Sequence, residues 1–216
     1  MIHHPNPLCS LCNTTNTQRF SYSENRQYHL CQDCDVVFVE KHFLLDKERE
    51  KAKYDNHQNS PQDKGYCDFL DKLLVPLAKH LQEGAHGLDF GSGPGPTLSI
   101  MMKERGYEMD IYDIFYHDKP EVFEKQYDFI TTTEVVEHLH QPLMEIERLW
   151  SCLKEGGVLG IMTAFRVEAF SSWYYKRDLT HILFFTPKTF IWLAAYLGAS
   201  LEIPQSGVAL LKKGTS

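Results

Sequence analysis

The sequence predicts an α/β protein built on a largely parallel sheet, preceded by a small cysteine-bearing segment. Three observations predict it. From residue 84 onward, short apolar runs alternate with amphipathic stretches, the pattern of strands joined by helices. A glycine-rich turn, H-G-L-D-F-G-S-G-P-G-P over residues 86–96, follows the first of those runs. Two Cys-x2-Cys pairs lie within the first 45 residues, in a stretch too polar to form a core alone.

The elements follow in order. Tyr28-His29-Leu30 reads as a strand leading into the second cysteine pair. Residues 46–83 are charged and helical in pattern, with Leu70, Leu73, Leu74, Leu77 and Leu81 at helical spacing and Pro76 as an interruption. His86–Phe90 reads as a strand and Pro96–Gly106 as a helix. Tyr107–Tyr112 and Tyr127–Thr131 read as further strands. Glu134–Leu153 contains a helix that Pro142 breaks or restarts, and Val158–Thr163 is a strand. Thr186–Leu197 is a helix with Pro187 in its first turn. The tail, Ser200–Lys212, carries two β-like runs around Pro204–Gly207, a terminal antiparallel hairpin. The chain divides into 1–45, a lid or linker of 46–83, and a sheet domain of 84–216.

Composition bounds the function. With 216 residues, 43% hydrophobic and 24% charged, the chain is neither disordered nor fibrous. No apolar run approaches the roughly 20 residues of a membrane helix, and the N-terminus lacks a basic start followed by an apolar stretch. The expected compartment is the cytoplasm. A net charge of −7 disfavours gripping a long phosphate backbone.

Cys9-x2-Cys12 and Cys31-x2-Cys34 are separated by eighteen residues, the spacing of a four-thiolate zinc ribbon. Free thiols or a redox pair are the competing reading. Zinc would supply folding energy that so small a segment lacks. His3 and His4 are not needed as ligands. Residues 1–45 hold three Lys/Arg against four Asp/Glu, so a structural or substrate-covering ribbon fits better than a nucleic-acid reader. Cys67 and Cys152 stand alone and read as buried thiols.

The glycine turn departs from the dinucleotide pattern G-x-G-x-x-G, because its third glycine falls one residue early. Asp89 also sits two positions before Gly91. This D-x-G-x-G-x-G resembles motif I of the class I S-adenosylmethionine-dependent methyltransferases. Asp113, twenty-four residues after Asp89, ends the next strand, and Leu153-Lys-Glu-Gly-Gly-Val-Leu159 resembles that family's L-x-x-G-G-x-L. The resemblance covers residues 84–216. It implies a Rossmann-like sheet and S-adenosylmethionine as cofactor. Asp89 would hold the cofactor's amino group, and Phe90, Gly91, Ser92, Gly93 and Gly95 its methionine and ribose portions. Asp113 would take the ribose hydroxyls, Ile114 would line the adenine, and Thr133 would close the site. Only thirteen residues, 114–126, separate Asp113 from the next strand. The family's usual helix and third strand must be shortened or absent there, leaving the usual acid at the adenine amine unassigned.

Glu134-Val-Val-Glu137-His138 would place three polar side chains on one helical face. With the later Thr180-His181, it resembles the divalent-metal site of small-RNA 2′-O-methyltransferases and ubiquinone-pathway O-methyltransferases. The resemblance implies Glu134, Glu137, His138 and His181 as ligands to a second divalent metal, which would acidify the reacting hydroxyl. In the competing reading these residues cap a helix or order a loop. His138 or His181 is then the general base, an imidazole being able to take a proton near neutrality.

Phe170, Trp173, Tyr174 and Tyr175 would either enclose the acceptor or pack a lid onto the core. Tyr54, His57, Asn59 and Tyr66 form a polar aromatic group before the leucine-patterned helix, and Tyr66 is the residue expected to reach the cofactor. The sequence therefore points to O-methylation of a small-molecule acceptor. The alternatives are methylation of an RNA ribose 2′-hydroxyl, or a catalytically idle fold that serves as a binding module.

Overall fold

A computed structural model of the chain describes residues 6–56 and 60–215. His3, His4, His57 and Asn59 lie outside the described residues.

The N-terminal segment folds as three short strands, β1 (Thr17–Ser23), β2 (Arg26–Cys31) and β3 (Val37–Val39). Ser23 pairs with Arg26 across Glu24 and Asn25, both at positive φ. Such a two-residue turn matches the right-handed twist of the strands it joins. Two helices follow, α1 (Lys47–Tyr54) and α2 (Lys64–Ala78). Asp63 caps α2 by accepting from the Tyr66 amide at 3.1 Å.

Pro76 does not interrupt α2; it sits in the last turn. Proline lacks the N–H that would reach the carbonyl of Lys72. That carbonyl instead accepts from Gln205 Nε2 at 2.6 Å. The helix buries Leu70, Leu73, Leu74 and Leu77, and each contributes about 2 kcal/mol by leaving water. Gly160 of the sheet admits Leu73: a Cβ there would stand 3.0 Å from its Cδ1.

The larger sheet is built from β4 (His86–Phe90), β5 (Glu108–Tyr112), β6 (Tyr127–Thr133) and β7 (Leu153–Met162), with α3 (Thr97–Glu104) between β4 and β5 and α4 (Pro142–Ser151) between β6 and β7. β8 (Leu183–Phe184), α5 (Pro187–Leu197), β9 (Ser200–Gln205) and β10 (Val208–Lys212) complete the chain. The strand order is β5-β4-β6-β7-β10-β9. The first four strands are mutually parallel, and β10 and β9 form the expected antiparallel hairpin. This is the Rossmann-like sheet of the class I methyltransferase type. It ends at β5, and residues 114–126 hold a short helical turn at Pro120–Glu124 in place of a helix and further strand.

Thr186 caps α5 with a reciprocal bond to Thr189, and Gly198 closes the helix at φ 64°. β7 begins five residues before the expected Val158, because Gly156, at φ 74°, lets the strand bend.

The smaller sheet has the order β1-β2-β3-β8, so its fourth strand comes from the far end of the chain. Val37 pairs with Phe184 and Phe38 with Leu183. Phe170 packs on the smaller sheet, edge-on to Phe20, Tyr28 and Phe184. No helix among the described residues is long and apolar enough to cross a membrane.

Candidate functional site

A cavity of about 750 Å³ opens at the carboxyl ends of β4, β5 and β6, where α/β sheets bind ligands. Tyr66, Asp89, Phe90, Gly91, Ser92, Gly93, Gly95, Asp113, Ile114 and Thr133 all line it. The glycine turn is held by its own backbone: the amides of Gly91 and Ser92 both donate to the carbonyl of Tyr112, at 2.8 and 3.1 Å. Gly91 has φ +80°, and a Cβ on it would fall 2.3 Å from Val135 Cγ2. Only glycine fits.

Asp89 is 3% exposed and accepts from Thr131 Oγ1 at 3.2 Å. Burial, with Asp113 nearby, pushes its carboxyl up to about 7. A cationic amino group is the ligand that would relieve that cost. Asp113 accepts from the Gly93 amide on Oδ2 at 2.9 Å, and from the Phe115 and Tyr116 amides on Oδ1. It therefore shapes the turn while facing the cavity. The Tyr66 phenol is pushed up to about 12 by burial and then by Asp89, so it stays a donor.

Three cavity hydroxyls, on Ser92, Thr97 and Thr133, are buried without a hydrogen-bond partner among the described residues. Buried polar groups are normally satisfied. Orphaned hydroxyls beside a turn that excludes Cβ atoms fit a polar ligand such as S-adenosylmethionine.

Beyond the turn, Glu134 stands at φ +53° with its amide donating to the Met162 carbonyl at 2.8 Å. Val136–His138 is a single 3-10 turn, not the helix the sequence suggested. The left-handed residue breaks helical phase, and Glu134 parts from its expected companions. Ligand atoms of Glu137, His138 and His181 all lie within 4.8 Å of one another. Glu134 Oε2 accepts instead from the Tyr175 hydroxyl at 3.0 Å, and the same hydroxyl donates to Glu137 Oε1. Burial raises both carboxyls, and Glu137 raises Glu134 further.

His138 Nδ1 donates to the Thr180 carbonyl at 3.0 Å, and His181 Nδ1 to the Tyr175 carbonyl at 2.7 Å. A carbonyl can only accept, so both neutral rings carry their proton on Nδ1. Burial, then His138, pulls His181 down to about 4. Glu137 Oε2 is buried without a hydrogen-bond partner among the described residues. Glu137, His138 and His181 fit a divalent cation by donor chemistry, and two imidazoles with one carboxylate suit a first-row transition ion better than magnesium.

Phe170, Trp173, Tyr174 and Tyr175 are not among the cavity-lining residues. Phe170 and Trp173 pack against Phe184 of the smaller sheet, and Tyr174 is 71% exposed. Residues the sequence did not flag complete the wall. Lys47 and Glu50 from α1, Phe115 and Tyr116 from the shortened connection, and His140, Glu145 and Arg148 all face in. Glu50 pairs with His140 at 2.7 Å and fastens α1 over the opening. Nothing in the charged sequence K-E-R-E-K-A-K-Y of α1 distinguishes Glu50 from its neighbours.

The four cysteines converge. Cys9 and Cys34 sulfurs lie 3.6 Å apart, and those of Cys12 and Cys31 3.4 Å. A disulfide needs about 2.05 Å, whereas sulfurs on one tetrahedral zinc stand about 3.8 Å apart. The two halves repeat one geometry. Amides of Cys12 and Cys34 point at the sulfurs of Cys9 and Cys31, each at 3.5 Å, and Asn13 and Asp35 follow at φ 58° and 59°. The residues fit a zinc ion. Hydrogen bonds from Cys34 and Cys9 lower the Cys12 thiol, and those from Cys12 raise Cys9 and Cys34 in turn.

Fold and glycine turn together define the class, an α/β protein of the S-adenosylmethionine-binding methyltransferase type. A methyltransferase-domain family profile matches residues 56–202, and the chain belongs to that family. No curated protein matches the sequence. Among solved structures, an O-methyltransferase family protein from Burkholderia thailandensis aligns at 11% identity over 77% of this chain and 63% of that one, with a TM-score of 0.50. The CurJ carbon methyltransferase aligns at 12% identity over 68% of this chain and 54% of that one, TM-score 0.47. Magnesium protoporphyrin IX methyltransferase from Synechocystis PCC 6803, with bound SAH, aligns at 12% identity over 77% and 94%, TM-score 0.47. The chain thus spans less than two thirds of the first two proteins.

Proposed function

We propose that this protein transfers a methyl group from S-adenosylmethionine to a hydroxyl oxygen of a small-molecule acceptor. One observation carries the reading. A single cavity joins a Cβ-excluding glycine turn and orphaned hydroxyls at one end to two Nδ1-protonated imidazoles at the other.

When bound, the cofactor supplies an already activated methyl group on a sulfonium. Phe90, Gly91, Ser92, Gly93, Gly95 and Thr133 would hold its methionine and ribose portions. Asp89 and Tyr66 would meet the amino-acid end, Asp113 the ribose hydroxyls and Ile114 the adenine. The chain's remaining work is to align the acceptor, exclude water and take one proton. α1, fastened by Glu50 to His140, excludes water. The unprotonated Nε2 of His138 takes the acceptor's proton; His181, pulled down to about 4 by burial, is a weak base near neutrality. A divalent cation on Glu137, His138 and His181 would acidify the hydroxyl, the imidazoles then acting as ligands. Glu134 remains with Tyr175. Zinc on Cys9, Cys12, Cys31 and Cys34 is structural.

A small acceptor is favoured over RNA because the cysteine sheet offers phosphate few cations. Arg26 is buried, and Arg166 of the larger unit is bonded to Asp35 at 3.0 Å. Calorimetry with S-adenosylhomocysteine and labelled methyl transfer into fractionated extract test the reading. Binding, with label in the small-molecule fraction, supports it. Label in RNA moves the acceptor to a ribose hydroxyl. No binding reduces the protein to an idle fold.

A further inference from the structure

The cysteine sheet has so far been given no task in the reaction. Arg26, the first residue of β2, supplies one. Its guanidinium is 3% exposed. Nη1 donates to the carbonyls of Leu179 and His181 at 3.0 and 3.3 Å. Nη2 donates to those of Lys176 and Asp178 at 2.7 and 3.4 Å. All four carbonyls belong to the loop that carries His181. Glu24, in the same hairpin turn, meets Lys176 Nζ at 3.2 Å.

The same loop orients both imidazoles. His181 donates to the Tyr175 carbonyl, which immediately precedes the Lys176 carbonyl held by Arg26. His138 donates to the Thr180 carbonyl, which lies between the held carbonyls of Leu179 and His181. The ring acceptors and the arginine's acceptors therefore lie interleaved on one stretch of backbone, 175–181. Two further ties run from the cysteine sheet to this region. The Val39 amide donates to the Ile182 carbonyl at 3.0 Å, where β3 meets β8. Asp35, directly after Cys34, accepts from Thr186 Oγ1 at 2.7 Å and from Arg166.

A planar guanidinium with a fixed fork of donors can bind several carbonyls at once, and a lysine ammonium cannot reproduce that fork. Burying a cation is costly unless it is hydrogen-bonded. Here the two Nη atoms are satisfied by four carbonyls of one loop, while the buried Nε has no hydrogen-bond partner among the described residues, so the loop's conformation and the arginine's position are mutually dependent.

We propose that Arg26 is a positioning residue for His181 and His138, and that the cysteine sheet is the strut that delivers it. The reaction role rests on the cavity being the methyl-transfer site; the mechanical link does not.

The test uses full-length, zinc-loaded protein. Ring-nitrogen NMR reports the histidine tautomers, and amide hydrogen exchange reports local opening. In Arg26→Met, His181 should lose its single Nδ1–H form and sample both tautomers. Amides of residues 176–182 should exchange at least about tenfold faster. Amides of 91–95, and the dissociation constant for S-adenosylhomocysteine, should hold within about twofold, as expected of a distant independent site. Arg26→Lys should fall between the two proteins. The proposal is overturned if the His181 tautomer and the 176–182 amides are unchanged. It is equally overturned if exchange accelerates alike throughout the chain, the mark of a merely structural arginine. If Arg26→Met does not fold, Arg26→Lys is read by the same two criteria. Failure of the wild type to bind S-adenosylhomocysteine would sink the methyl-transfer reading, while tautomer and exchange measured without ligand would still decide the strut.

Discussion

The six-stranded sheet and the four-stranded sheet are stabilised in different ways. In the former, β4, β6 and β7 are covered on both faces, and Leu88, Phe129, Ile130, Leu159 and Ile161 are almost wholly buried. Parallel sheets need such cover, and here it suffices. The smaller sheet has strands of seven, six, three and two residues. Three or more strands need an apolar face to stand alone, and the face of this one is covered by Phe170 and Trp173. It is held by a sulfur cluster at one end and a borrowed strand at the other. Its apolar residues join those of the larger sheet in one continuous core. The lesson is that a small appendage can be chemically distinct from its neighbour and mechanically part of it.

The comparison can be broken most severely at the sulfurs. Cys9→Ser should abolish zinc retention and lower the melting temperature by well over ten degrees, since structural zinc contributes on the order of 10 kcal/mol to small sites. Metal analysis beside a thermal melt checks this, and zinc-free wild type of unchanged stability would refute it. The larger sheet is expected to survive, with S-adenosylhomocysteine binding weakened but present.

Gly91→Ala attacks the other sheet. The left-handed backbone and the Val135 clash together should cost about 2–4 kcal/mol and eliminate S-adenosylhomocysteine binding. Adding Val135→Ala should recover the clash and not the backbone strain, a split that denaturant melts can read.

Asp89→Asn sharpens the picture through pH. Its folded carboxyl, at about 7, lies above its ordinary 3.8. The folded state therefore binds the proton more tightly, and stability falls as pH rises from about 4 through 7. At pH 8 the asparagine variant should be more stable than wild type by roughly 4 kcal/mol, and the gap should vanish near pH 4. Ligand affinity should fall at least about tenfold. In the wild type, S-adenosylhomocysteine should bind more tightly as pH climbs from 6 to 8.

The smallest effect is expected at the surface of α1. Lys51→Ala removes an exposed ion pair with Asp55, 2.7 Å long, and should cost about 0.5 kcal/mol or less. A larger loss would mean that α1 is held more firmly than its Glu50–His140 pair implies.

Much of this was legible in the sequence wherever the determinant was local. The strand His86–Phe90, the glycine turn, the Thr186 cap and the terminal hairpin are each set by a few adjacent residues. The paired cysteines were legible because knuckle geometry is written in two-residue spacing. Four things were not. The pairing of β3 with β8 joins distant segments, and a two-residue strand has no periodicity to read. Glu134 was expected to begin a helical face, but a left-handed glutamate leaves no trace in a sequence. The walls contributed by Lys47, Glu50 and His140 depend on where α1 docks. The aromatic run after β7 looked like an acceptor pocket, but Phe170 and Trp173 pack on the smaller sheet and Tyr174 is exposed, since the same residue types serve either purpose.

The borrowed strand has a consequence for synthesis. Arg26 and Leu179 are 153 residues apart, and contacts of such long sequence separation form late. Emerging from a ribosome at about 5–20 residues per second, the cysteine segment would wait many seconds for the loop it grips. During that interval its four thiols would be together on a short tether with no neighbour to dock on. Metal capture would then be an early event, and closure of the histidine site one of the last.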